Sequence, residues 1–279
     1  MVAGTIRVAF FAILVLLGRP LVADLVLNTD NVAETIDFTG FDGSGFDSFG
    51  VNGAVVSGGM LNSDTFSFDG FDTNVAFGGT GTADDPARGS DPDGVSTGGV
   101  YNFDTGGGNA SLGVQPGGTD FTPGSFYLRV RNGTTSTMSD FAISYDAYVY
   151  NDQGRANSFN FEYAASASDT LPGSFTSVSA LDLTSGEAAD VSPTWALNSR
   201  STTLTGLSVG AGEYLFLRWI GNDVSGSGSR DQFALDNISV NGMTAAAVPE
   251  PRSAALLGIG LITVFLIRLR RDSSVTCGV

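Results

Sequence analysis

"FAISYDAYVYNDQGRANSFNFEY" (Phe141–Tyr163) holds two runs of alternating side chains around a polar, glycine-bearing turn. Successive side chains of an extended chain point to opposite faces, so a period of two marks a half-buried strand. The first run puts Ile143, Tyr145, Ala147 and Val149 on one face and Ser144, Asp146, Tyr148 and Tyr150 on the other. The second run turns Phe159, Phe161 and Tyr163 inward. "NDQGRAN" (Asn151–Asn157) reads as the turn between them. If it closes a hairpin centred near Gly154, Asp146 faces Glu162 and Tyr148 faces Asn160 across the strands.

The same signal recurs on both sides. "GGVYNF", "SFYLRV", "FTSVSALDL", "STTLTGLSV", "EYLFLRWIG" and "QFALDNISV" are short, β-branched or aromatic, and separated by Gly, Asp and Ser. In "SFYLRV", Phe126, Leu128 and Val130 share one face, and Tyr127 and Arg129 lie on the other. Upstream, "DFTGFD" (Asp37–Asp42) returns as "SFDGFD" (Ser67–Asp72), which reads as two similar strand–turn units with core phenylalanines Phe38, Phe68 and Phe71. No segment of the body carries a helical period. The expectation is an all-β chain, an antiparallel β-sandwich of jelly-roll type over residues 24–242.

The chain has 279 residues, 38 of them glycine, no histidine, and one cysteine, Cys277. Lysine is absent as well. These absences exclude Ser-His-Asp and Cys-His nucleophiles, Schiff-base lysines, His/Cys zinc sites and a disulfide scaffold. Residues 24–247 carry 7 Arg against 27 Asp and Glu, a formal charge of −20. Such a body repels nucleic acid and anionic membrane surfaces and attracts divalent cations.

Both ends differ in kind from the body. At the start, Arg7 precedes the apolar run Val8–Leu17, and Leu21-Val22-Ala23 offers a cleavage point before Asp24. Residues 1–23 read as a signal peptide, a helix removed by signal peptidase. After a linker at 243–247 comes Val248-Pro249-Glu250-Pro251. The apolar run Ala254–Ile267 follows, then Arg268, Arg270 and Arg271, and a tail at 272–279. Fourteen apolar residues are short for a span of about 20. The basic cluster holds its side in the cytoplasm, so the segment reads as a short hydrophobic helix serving as a transient transmembrane anchor.

This ending, residues 248–271, resembles the PEP-CTERM sorting signal of Gram-negative bacteria. The resemblance implies an exosortase as partner, removal of the tail, and a recognition role for Glu250. The body resembles a secreted β-sandwich module of bacterial PEP-CTERM and other anchored surface proteins. That likeness rests on "GGVYNF", "LGVQPGGTDFTPGSFYLRVRNGT", "ISYDAYVYNDQGRANSFNFEY", "SPTWALNSRSTTLTGL" and "LRWIGNDVSGSGSRDQFALDNISV", across residues 35–242. The resemblance of the ending implies location at the cell surface or outside the cell, and association with extracellular polysaccharide; the likeness of the body is to a module of unsettled function. It implies no activity.

Three site readings follow. Asp146, Tyr148, Tyr150, Asn160 and Glu162 on one sheet face suit a sugar, with rings to stack and polar groups to bond hydroxyls. Asp146 and Glu162 alone, about 5 Å apart across strands, suit a retaining glycoside hydrolase. The plainer alternative is a solvated network in which Arg129 or Arg218 balances the acids. Asp91 and Asp93, and separately Asp223, Asp231 and Asp236, are candidate calcium ligands of a calcium-stabilised adhesion module. A turn and an ion pair are the plainer readings there. No other cofactor is implied.

Overall fold

The computed structural model describes residues 25–48, 54–56 and 58–245. In chain order its strands are β1 (Leu25–Leu27), β2 (Ala33–Ile36), β3 (Phe46–Asp47), β4 (Leu61–Asn62), β5 (Phe66–Asp69), β6 (Ser90–Asp91), β7 (Gly99–Asp104) and β8 (Ala110–Gln115). Then come β9 (Gly124–Asn132), β10 (Met138–Tyr150), β11 (Arg155–Ser166), β12 (Thr176–Ser177), β13 (Leu183–Thr184), β14 (Trp195–Leu204), β15 (Tyr214–Gly226) and β16 (Gln232–Thr244). The one helical element among the described residues is a 3-10 turn at Ser179–Leu181. The signal helix and the C-terminal helix expected from sequence lie outside the described residues, as does the whole sorting motif.

Two sheets carry the fold. The front sheet runs β14-β10-β16-β8-β7-β6, with β2 also on β16. The back sheet runs β1-β9-β15-β11-β12, with β5 on β9 and β13 on β11. Their inner faces meet in one core. Tyr145 of the front sheet lies 5.7 Å from the ring of Phe161 and 5.4 Å from that of Trp219, both in the back sheet. Phe233 stacks on Phe159 at 5.2 Å. The alternation read in sequence holds: Ile143, Tyr145, Ala147 and Val149 are buried on one side of β10, and Phe126, Leu128 and Val130 on one side of β9. Pairing is antiparallel except for the short pairs β1–β9, β3–β4 and β6–β7, which are parallel.

The expected hairpin does not form. β10 pairs with β14 and β16, whereas β11 pairs with β12, β13 and β15. The Asn151–Gly154 connection therefore carries the chain from the front sheet to the back sheet. A period of two fixes which face is apolar, not which sheet the strand joins.

The two Phe-Gly units both turn through a left-handed glycine, Gly40 at φ +89° and Gly70 at φ +82°. Each thereby folds a pair of rings, Phe38 with Phe41 and Phe68 with Phe71, into the core. This N-terminal region also covers part of the back sheet's outer face. There Arg129 is buried, donates to the carbonyls of Asp64 and Asp169, and lies 4.6 Å from the ring of Phe77.

Candidate functional site on the front sheet

The outer face of the front sheet is built by strand register. Tyr148 stands between Leu197 of β14 and Ala234 of β16; beyond Ala234 come Gly113 of β8 and Tyr101 of β7. Tyr150 stands between Trp195 and Gln232. With alanine and glycine at the middle of the row, rings from its two ends can close over them. Tyr101 stacks on Phe103 at 5.2 Å, Phe103 lies 5.0 Å from Trp195, and Trp195 lies 5.3 Å from Tyr150. A Cβ on Gly113 would stand inside the ring of Phe103. The Trp195 indole is half-buried and donates from Nε1 to the Pro92 carbonyl at 2.8 Å. Tyr148 is half-buried beside this cluster.

Next to the rings the face turns polar. Asp146 Oδ1 accepts from Ser199 Oγ at 2.6 Å, and Oδ2 accepts from Asn237 Nδ2 at 3.0 Å. Asn237 reaches Asp146 because β16 carries one extra residue between the pairs Ser144–Ser239 and Asp146–Asp236. The bulge holds Asn237 at φ +50° and re-aims its side chain. Asp236 beneath is fully buried and accepts from Asn109 Nδ2 at 2.8 Å and the Asn237 amide at 2.7 Å. Burial pushes its carboxyl above the usual range; the fields of Asp146 and Asp37 push the same way.

Two adjoining hollows, of about 260 and 420 Å³, continue from Asp146 along β10. They share Ser144 and Ser201; Ala142, Thr203, Ser239 and Asn241 are among the residues lining the larger, and Asp146, Ser199, Arg200 and Asn237 among those lining the smaller. Hydroxyls and amides thus line much of an open channel, and the Tyr148 ring follows Asp146 on the same face of β10. Such a surface suits a hydroxyl-rich chain, which needs both hydrogen-bond partners and flat apolar contact.

The five residues expected to form a sugar site are divided. Asp146 lines the smaller hollow, and Tyr148 follows it on the same face of β10. Tyr150 faces the same way but is buried against Trp195, so it supports the site rather than presenting a surface. Asn160 and Glu162 lie on the back sheet, opposite Ile220 and Arg218. Glu162 pairs with Arg218 and accepts from Ser177 Oγ at 2.7 Å. The acids Asp146 and Glu162 thus sit on opposite outer faces with the core between them, and the retaining-hydrolase arrangement is overturned. Arg218 balances Glu162 as the plainer reading had it, and the Phe175 ring covers its guanidinium at 4.3 Å.

The calcium expectation also changes. Asp223 is held by Arg155 at 2.5 Å and by a two-point contact from Arg230 at 2.6 and 2.7 Å, which lower its carboxyl's pKa. Asp236 is buried opposite Asp146 and bonded by Asn109 and the Asn237 amide. Asp91 accepts from the Asp93 amide at 3.3 Å within an ordinary turn. Among the described residues no three His, Cys, Asp or Glu side chains are placed to hold a metal ion. Asp91, Asp93, Asp223, Asp231 and Asp236 therefore form no common shell.

Trp195, Tyr101, Phe103, Ser199 and Asn237 were not singled out from sequence. Trp195 was discoverable: it opens an alternating strand, "WALNSRSTTL", whose other outward positions are Leu197, Ser199, Ser201 and Thr203. The bulge that aims Asn237 leaves no mark in the sequence.

No protein-family model and no curated protein matches this chain. Among solved structures it is similar to a carbohydrate-binding module specific for non-crystalline cellulose, CBM28. That match has 14% identity, covers 69% of this chain and 94% of that one, and has a TM-score of 0.34. It is also similar to the N-terminal cellulose-binding domain of β-1,4-glucanase C from Cellulomonas fimi, at 10% identity, 66% and 91% coverage and a TM-score of 0.32. A third is the K2 cleaved adhesin domain of Lys-gingipain, at 18% identity, 48% and 73% coverage and a TM-score of 0.29. At these scores the likeness is remote and assigns this chain no ligand. Among the described residues no helix is long and apolar enough to cross a membrane.

Proposed function

We propose that this chain is an exported, non-enzymatic surface protein that holds extracellular polysaccharide on the outer face of its front sheet, within a sandwich of jelly-roll type. The observation that carries this reading is the trough along β10, walled by Ser144, Ser201, Ser239 and Asn241, on the same outer face as the ring cluster that Tyr148 and Trp195 join. Small hydroxyl-bearing residues leave room for a chain to lie along the strand. The rings offer a flat surface on the same face. Acyl or glycosyl transfer would need a nucleophile or an acid–base pair; of the two acids here, Asp146 is already bonded by Ser199 and Asn237, and Asp236 is buried and bonded by Asn109 and the Asn237 amide.

Export and sorting form the other half of the proposal. Signal peptidase cleaves near Ala23, and an exosortase recognises Val248–Pro251 with Arg268, Arg270 and Arg271 and removes the tail. The acidic composition of the body suits a soluble domain outside the cell.

The binding half is tested by electrophoresis through gels cast with neutral polysaccharides, cellulose derivatives and xylan among them, and with the host's own exopolysaccharide. Retardation of the native domain and its loss in the Tyr148→Ala/Trp195→Ala double variant is expected. Unretarded migration in every gel removes the binding reading.

A further inference from the structure

The corner where the chain leaves the front sheet collects side-chain oxygens that are short of hydrogen-bond donors. Asp231 sits at the entry to β16 and is fully buried. Its Oδ1 accepts from the Gln153 amide at 3.0 Å, which brings the carboxylate against the Asn151–Gly154 turn. Its Oδ2 is shielded from solvent and meets no donor in hydrogen-bond geometry, although the Ser185 hydroxyl lies near the carboxylate. On the turn itself, Asp152 Oδ1 and Asn151 Oδ1 are shielded and unpartnered too. Gln115, at the end of β8, donates from Nε2 to the carbonyl of Arg230, the residue before Asp231; its own Oε1 is a fourth shielded acceptor without a donor.

Shielded acceptors normally find donors, because each one left alone costs about 1–3 kcal/mol. Four on adjoining segments, two of them carboxylate oxygens, point to a positive charge beyond the two guanidiniums nearby. The neighbouring arginines, Arg155 and Arg230, direct their ion pairs to Asp223 and make no hydrogen bond to these four oxygens. The other ionisable groups facing the corner are Asp93 and Tyr150, neither of them cationic. Burial raises the carboxyls of Asp231 and Asp152, and the field of Asp152 raises Asp231 further. The Ser185 hydroxyl and the amides of Gln153 and Asp152 act against this on Asp231, favouring its ionised form.

We propose that Asp231 and Asp152, with the side-chain oxygens of Asn151 and Gln115, form a site for a hard divalent cation, calcium by its preference for several oxygen ligands. Two carboxylates do not complete a calcium shell of about 6–8 oxygens, so main-chain carbonyls or water fill the remainder. The ion would tie the crossover turn to the start of the central strand. It would act on stability and not on the sugar-binding face.

The test uses the exported domain stripped with chelator and then titrated with calcium chloride or magnesium chloride, read by thermal unfolding and by titration calorimetry. Expected is saturable binding of one calcium ion and a rise in Tm of about 5–10 °C at a hundredfold excess over Kd. Asp152→Asn, on the half-exposed turn, should fold and lose most of that rise; Asp231→Asn should do the same if it folds. Asp91→Asn should keep it. Absence of any divalent-dependent shift or heat overturns the proposal, and so does a calcium shift that survives intact in Asp152→Asn.

Discussion

Gly113 and Phe103 occupy the same patch of the front sheet: the ring of Phe103 lies where any side chain on Gly113 would have to stand. The ring in turn packs against Tyr101 and Trp195. Gly113→Ala must push Phe103 outward and break that stack. Overpacking of this kind costs about 1–3 kcal/mol. Urea unfolding should register the loss, and polysaccharide retention should fall with it.

Trp195 presents a half-exposed ring on the same outer face as the trough. Trp195→Ala removes its contacts with Phe103 and Tyr150 and its bond to Pro92. Retention on neutral polysaccharide should drop about tenfold, the order expected when one aromatic anchor is lost. Ser201→Trp, which fills the trough without touching the cluster, should also abolish retention. Unchanged binding in that variant would move the ligand off this face.

Glu162 belongs to the opposite face. Glu162→Gln leaves the Arg218 guanidinium beneath Phe175 without its counter-charge, and a loss of about 1–2 kcal/mol should appear in denaturant unfolding. Binding to polysaccharide should not change. Reduced retention in a stable Glu162→Gln protein would return the back sheet to consideration.

Buried acids set the response to pH. Asp231, Asp236 and Asp152 all have carboxyls raised chiefly by burial. A raised acid binds its proton more tightly in the folded chain than in the unfolded one. Stability in the chelator-stripped protein should therefore fall as pH climbs from the ordinary Asp value of about 4 through the raised values. Asp223 works in the opposite sense, contributing above the ordinary value and losing that contribution as pH falls through its lowered one. Denaturation of the stripped protein should show greater stability at pH 5 than at pH 7.5, and Asp236→Asn should flatten the difference.

Processing is read by mass. When the full chain is expressed in a host carrying an exosortase, the recovered protein should begin near Asp24 and end near Pro249–Pro251. A membrane-bound product that keeps residues 252–279 would strike exosortase from the partners.

Much of this architecture is legible in the chain because alternation is a local property. The inward residues of β9, β10 and β11 follow from their spacing alone. What is not legible is long-range. Asn151–Gly154 is short enough for a hairpin, and nothing within it reveals that β10 and β11 find different partners. Asp146 was recognisable as an outward acid, but its companions Ser199 and Asn237 come from strands 53 and 91 residues away. Glu162 was assigned to the same face through the hairpin assumption and fell with it. The buried state of Tyr150 depends on Trp195, which the register of β14 alone brings alongside.

The position of β16 has a bearing on how the domain comes into being. Its residues lie between β10 and β8 and also hold β2, so the last strand of the domain is the middle of the front sheet. A chain made from its amino end, or threaded outward from that end, can assemble β9 with β5 early. It cannot join β10 to β8 until Gln232–Thr244 arrives. Until then both halves of the front sheet expose open edges. Closure of the front sheet therefore waits for the last strand of the domain, and the order in which the strands are made is not the order in which this sheet can be completed.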